Sequence, residues 1–199
     1  SSDLTAPFYN FVVNRESGAA SVYLLTNPLV VTNDLSLTNG ILNANNLNVT
    51  IGRHCIISAG TTYTTGTNTT IFNGSGAQSF TVDLAAALTV NKLTIEKPAG
   101  TTLTLAGSQG VINVGSDFSL SDGTLDDNGK TLNIAGNVYN SGIHTGTNPG
   151  KIVLNGTALQ SINGNGVFRN IELYNTNAAN APVSLAANMT VNGVLNLAN

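Results

Sequence analysis

Charge is what this chain most lacks. Only 9% of its residues are Asp, Glu, Lys or Arg, against roughly 25% in an ordinary globular protein. Its polar surface must therefore be made of Asn, Thr, Ser and Gly, which suit turns and solvent-facing strand positions, while the good exposed helix formers are scarce. The seven basic residues stand singly and the net charge is −3, which excludes the clustered Lys and Arg of a nucleic-acid binder. Tryptophan is absent and aromatics make up 6%, so the large ring that marks an immunoglobulin-type core is missing. The single cysteine, Cys55, rules out an internal disulfide. Set between His54 and Ile56-Ile57, it reads as a small buried apolar residue and not as a reactive thiol. No apolar run nears the roughly 20 residues of a membrane-spanning helix, and no basic segment followed by an apolar one opens the chain. Membrane insertion is not expected, nor is a cofactor.

What the chain does have is a long repeat. Phe72-Asn73-Gly74-Ser75-Gly76-Ala77-Gln78-Ser79-Phe80 returns 82 residues later as Leu154-Asn155-Gly156-Thr157-Ala158-Leu159-Gln160-Ser161-Ile162. Leu93-Thr94-Ile95 stands 82 residues after Phe11-Val12-Val13, Phe118-Ser119-Leu120 stands 83 after Leu35-Ser36-Leu37, and Ile171-Glu172-Leu173 opens a third copy 78 after Leu93. The units run over about 8–89, 90–165 and 166–199, the last truncated, and a segment of a longer array is expected.

Between the copies come short pulses of apolar-polar-apolar form, such as Leu35-Ser36-Leu37, Leu47-Asn48-Val49, Leu103-Thr104-Leu105 and Leu132-Asn133-Ile134. Each sends two side chains inward and one outward over a strand of three to five residues. A sandwich needs longer strands, whereas stacked coils do not. The pattern predicts an all-β protein, a right-handed parallel β-helix forming one domain over 1–199, with tandem immunoglobulin-like β-sandwiches as the alternative. Coils of roughly 20 to 25 residues give about eight to ten turns, three or four to each long unit. Asn73 and Asn155 are then not stacked neighbours, and Gln78 and Gln160 are predicted to bond backbone at a coil corner. The stretch 61–70, rich in Thr, reads as an exposed loop or outer strand, and 8–25 as a cover for the first coil.

Sites are hard to find. Asp122, Asp126 and Asp127 are the one cluster of carboxylates that a polysaccharide-cleaving β-helix could use, but Asp126-Asp127-Asn128-Gly129 is also turn chemistry, and the spacing fits no calcium loop. His54 and His144 are solitary, which is not a metal-binding pattern. Gly74-Ser75-Gly76 and Gly164-Asn165-Gly166 precede no helix and read as turns. Thr89, Thr94 and Thr104 are expected to face outward, the raw material of an ice-binding face. Tyr63, Tyr139 and Tyr174 are scattered, and each reads as a residue at a strand edge more readily than as a sugar-stacking ring. No catalytic, cofactor-binding or metal residue is assigned.

The motif running from Phe72-Asn73-Gly74 to Gln78-Ser79-Phe80, together with Lys92-Leu93-Thr94-Ile95-Glu96-Lys97-Pro98-Ala99-Gly100 and Met189-Thr190-Val191-Asn192-Gly193-Val194-Leu195-Asn196-Leu197, resembles the long repeats of large secreted and surface proteins of Bacteroidetes. The resemblance covers nearly the whole chain except 22–28 and 53–70. It implies export, often by the type IX route, display outside the cell or on its surface, and a structural or adhesive role without catalytic residues. The partners it implies are surface glycans or neighbouring repeats of the same longer chain.

Overall fold

The computed structural model describes residues 6–15, 21–178 and 182–198. Among them are twenty-six strands of two to five residues and no helix. Leu35–Leu37 and Val49–Ile51 show why the strands are so short: the outer two side chains are buried, the middle one faces out, and a turn follows at once. Every pairing is parallel and joins strands three apart in chain order, with one break, on the second face, between Thr62–Thr64 and Leu88–Val90. Three strands therefore make one coil, and three faces run along the stack. Parallel pairing excludes the sandwich alternative, whose strands are antiparallel.

The first face has nine strands, from Phe11–Val13 through Gln78–Val82 and Thr124–Asp126 to Thr190–Val191. The third face has eight, from Leu29–Val31 to Val183–Leu185. The second face is in two parts, three strands ending at Thr62–Thr64 and six beginning at Leu88–Val90, which do not pair with each other. Register partners on the first face lie 19 to 25 residues apart, as in Leu125 with His144 and Cys55 with Phe80, so about eight coils are stacked.

Inward residues of successive coils sit on top of one another. Leu35, Cys55, Phe80 and Leu105 form one such column, each in register with the next and each fully buried. The apolar cluster they belong to is continuous from Val13 to Ile171. Each enclosed Leu, Ile, Val or Phe contributes roughly 1.5 to 3 kcal/mol to stability, while the ladder satisfies the backbone along the axis.

The long repeat and the coil have different periods. Phe72 ends a strand of the third face and Leu154 ends a strand of the second. Counting strands, these copies are eleven apart, and so are Phe11–Val13 and the strand holding Leu93, and that strand and Ile171–Leu173. Eleven strands at three to a coil is three and two-thirds coils. Each copy is turned by one face relative to the copy before it, so no copy stacks on its own likeness.

Three expectations are corrected in detail. The stretch 61–70 is not an exposed loop: Tyr63 points inward at 5% exposure, and Thr61, Thr65, Asn68 and Thr70 are buried with it. Alternation along Thr62–Thr64 puts the ring inside, where its hydroxyl lies 3.0 Å from Thr70 Oγ1 and accepts from Asn68 Nδ2. The strand expected at Leu47-Asn48-Val49 begins instead at Val49, because Asn48 is held in the corner as the acceptor for the Thr69 amide. In 8–25, Phe8 does cover an edge by bridging to Val31, but Ser21–Tyr23 is an ordinary strand of the second face. Residues 16–20 of that stretch lie outside the described residues.

Candidate functional site

The polar side chains at the corners chiefly join one coil to the next. At the corner between the third and first faces, Asn10 Oδ1 accepts the Asp34 amide, Asp34 Oδ1 accepts the His54 amide, and His54 Nδ1 accepts both the amide and the hydroxyl of Ser79. At the corner between the second and third faces, Asp117 accepts the Asn137 amide and Asn137 accepts the amide and hydroxyl of Ser161. His54 thus does the work that Asn137 does in the next copy, which accounts for it without a metal. Asn45, Asn68, Asn91 and Asn128 each donate to a carbonyl one coil back.

The repeated Asn-Gly motif is the most elaborate of these corners. Gln78 is buried; its Oε1 accepts the Gly74 amide at 3.1 Å and its Nε2 donates to Ile51 O and Arg53 O, both at 2.9 Å, in the preceding coil. Gln160 repeats this with the Gly156 amide, Ile134 O and Gly136 O. The glycines are obligatory because a Cβ at Gly74 would collide with the Gly52 carbonyl, and one at Gly156 with the Ala135 carbonyl. Into the first cradle reaches Lys97, 1% exposed, donating to Gly74 O, Gly76 O and Gln78 Oε1 at 2.7 to 2.8 Å. Its three protons are matched by three oxygens without a carboxylate, and burial pushes its pKa down to about 8. In the next copy Asn175 takes this place, donating to Ala158 O and Gln160 Oε1. Gly74-Ser75-Gly76 therefore converges carbonyl oxygens on a cation, the opposite of a phosphate loop, which converges N–H groups. Gly164-Asn165-Gly166 is a turn whose Gly166 amide bonds Asn140 O.

Asp122, Asp126 and Asp127 are not brought together. Asp122 ends a third-face strand exposed and caps its own turn at the Gly123 amide. Asp126 faces out from the first face, in register between Thr104 and Thr145, and caps the Asn128 amide. Asp127 is buried: its Oδ1 accepts the Gly129 amide, and its Oδ2 lies 2.9 Å from His144 Nε2. His144 Nδ1 accepts the Arg169 amide at 3.4 Å, which assigns the ring proton to Nε2. This buried pair was not foreseen. The signal for it was the matched alternation of Thr124-Leu125-Asp126 and Ile143-His144-Thr145, which puts His144 in an inward column.

Thr89, Thr94 and Thr104 do face outward, but from the second, third and first faces respectively, so they form no common row. Tyr139 and Tyr174 are exposed, and Tyr63 is inside. Burial raises the pKa of the Tyr63 phenol and of the Cys55 thiol. Among the described residues no three His, Cys, Asp or Glu side chains gather as a metal site requires, and no helix is long and apolar enough to cross a membrane.

One surface groove, of about 240 Å³, lies near the end of the stack where three coils meet the loop holding Asn148 and Pro149. Across it Lys151 Nζ donates to Glu172 Oε2 at 2.7 Å, and Asn196 Nδ2 donates to the same oxygen at 2.9 Å. The hydrogen bond from Lys151, with that from Asn196 behind it, holds the Glu172 carboxyl below its ordinary pKa. Asn170 braces the wall, donating to Asn148 Oδ1 and Gly150 O and accepting the Val194 amide.

Comparison with family models, with curated proteins and with solved structures returns no match to the chain.

Proposed function

We propose that this chain is a non-enzymatic structural and adhesive segment of a secreted or cell-surface protein: a short stiff rod that holds neighbouring parts apart and offers its outer faces for contact. The observation that supports it is the corner network. Gln78 with Lys97, Gln160 with Asn175, and the two runs from Asn10 to Ser79 and from Asp117 to Ser161 all tie a coil to the one before it. At about 4.8 Å per strand spacing, eight coils make a rod about 40 Å long. A polysaccharide-cleaving reading loses its footing once Asp122, Asp126 and Asp127 point to three separate surroundings.

Two assays test the proposal. Antibody against the chain is expected to label intact, unpermeabilised cells of the organism that makes it; labelling only after permeabilisation counts against surface display. Incubation with neutral and acidic polysaccharides is expected to release no new reducing ends and no unsaturated uronates. Release that disappears in Asp126→Asn would replace the structural reading with an enzymatic one.

A further inference from the structure

We propose that the groove beside Glu172 is a binding site for one unit of a neutral saccharide. The first argument is where the third copy of the repeat departs from the second. Lys92 and Asp117 form an ion pair at 3.2 Å across the equivalent place in the second copy. Their counterparts in the third copy are Asn170 and Val194, which are shorter and form no such pair, so the surface opens into the groove. Around that opening the repeat's small hydroxyl residues have been exchanged for long polar ones: Thr69 corresponds to Lys151, Thr94 to Glu172 and Ser119 to Asn196. The coil folds with Thr69, Thr94 and Ser119 at these positions one repeat earlier, Thr69 in the first copy and Thr94 and Ser119 in the second. The framework does not require the replacements, yet parallel register brings all of them to one spot, Ile152 with Ile171 and Glu172 with Asn196.

The second argument is what the groove offers. Glu172 Oε2 is engaged twice, by Lys151 and Asn196. Among the described residues, Glu172 Oε1, Asn196 Oδ1 and the side-chain amide nitrogen of Asn148 carry no hydrogen bond, and Lys151 has one of its three donors engaged. Donors and acceptors thus stand side by side, which suits adjacent hydroxyls that each donate and accept. The Pro149 ring and Val194 supply an apolar surface for the C–H face of a sugar ring. Lys151 and Glu172 cancel each other in charge, which favours a neutral ligand over a phosphate, a sulfate or a cation. At about 240 Å³ the groove is of a size to seat one pyranose ring. The site does not depend on the rod proposal, because a rod without sugar affinity and a sugar site on a differently employed coil are both coherent.

The test is a titration of the whole chain, followed by proton–nitrogen correlation spectra, with glucose, galactose, mannose and N-acetylglucosamine, each to about 50 mM, since one shallow sugar contact binds in the millimolar range. The expected result is a saturable shift, for at least one sugar, of the Asn148 and Asn196 side-chain amides and of backbone amides in 148–151, 171–173 and 194–196. Glu172→Thr, which installs the second copy's own residue, is expected to weaken that sugar by about tenfold or more, the usual consequence of losing a hydrogen bond to a charged group, with the rest of the spectrum unchanged. Lys151→Thr serves equally should Glu172→Thr perturb the fold. No saturable shift with any of the four sugars, or equal affinity in a folded Glu172→Thr or Lys151→Thr variant, overturns the proposal.

Discussion

Replacing Gln78 by Ala tests the corner network at its most connected point. The substitution removes an acceptor from the Gly74 amide and from the Lys97 ammonium, and a donor from Ile51 O and Arg53 O. Two of these groups keep other partners: Ile51 O still accepts the Asn73 amide, and Lys97 still reaches Gly74 O and Gly76 O. A buried group left without a partner costs about 1 to 3 kcal/mol, and a lost bond to a group with alternatives about 1. Fully buried, the four losses would total about 4 to 8 kcal/mol; the Gly74 amide and Arg53 O are only part-buried, and water reaching them brings the expected loss to about 3 to 5 kcal/mol. That is a large part of the roughly 5 to 15 kcal/mol that hold a domain together. Gln109→Ala is the internal scale, because Gln109 is half-buried and makes two such bonds, to Leu84 O and from the Val111 amide; about 1 to 2 kcal/mol is expected. Urea unfolding followed by far-ultraviolet circular dichroism gives both numbers from one series. A Gln78→Ala loss below about 1 kcal/mol, or one no larger than that of Gln109→Ala, refutes the view that the repeated motif is a structural clasp.

The buried Asp127–His144 pair is expected to behave as one unit: Asp127→Ala and His144→Leu each destabilise by about 3 kcal/mol, while the double variant costs clearly less than the sum, a coupling of 1 to 3 kcal/mol in a double-mutant cycle. Lys97 has a folded pKa, about 8, below that of an unfolded lysine, so the unfolded chain binds more protons above pH 8 and Lys97's contribution to stability rises with pH from about 8 until the unfolded lysine also titrates. Cys55 and Tyr63 act in the opposite sense, since their raised pKa values make them retain protons that the unfolded chain releases. The clean readout is therefore the stability of the native chain minus that of Lys97→Asn, which is expected to rise from pH 8 to 10; a flat difference contradicts the burial of the ammonium. Cys55, fully buried between Leu35 and Phe80, is expected to react with a disulfide reagent only as fast as the stack opens, and rapid labelling under native conditions would show that the column is not closed.

The parallel coil was legible because pulses such as Leu35-Ser36-Leu37 bury only two side chains, too few for a sandwich strand and enough for a coil. Burial of Cys55 was legible from its apolar neighbours Ile56 and Ile57, and backbone bonds from Gln78 and Gln160 because a motif that recurs with flanking inward residues must turn a corner. The face on which each copy falls was not legible. It depends on the number of strands between copies, and strands such as Ser21–Tyr23 lack the apolar-polar-apolar signature. Tyr63 was misread because a Thr-rich run looks solvent-loving, although its hydroxyls are what let a phenol sit inside. The groove was missed because Asn148, Lys151, Asn170, Glu172, Val194 and Asn196 are scattered along the chain and only parallel register gathers them. Aligning the third copy on the second would have exposed Thr94 against Glu172 and Lys92 against Asn170 before any coordinates.

The central claim is that corner side chains and parallel ladders make the coils one rigid unit, and its critical place is the break in the second face between Thr62–Thr64 and Leu88–Val90. Only the first and third faces cross that break, through the pairing of Cys55–Ile57 with Gln78–Val82 and of Thr69–Phe72 with Lys92–Glu96. Native-state hydrogen exchange measures directly whether they suffice. A single unit requires that amides of Gln78–Val82 and Lys92–Glu96 exchange in the slowest class, with the same opening free energy as strands on either side. Two blocks that open independently on either side of 83–87 would contradict it.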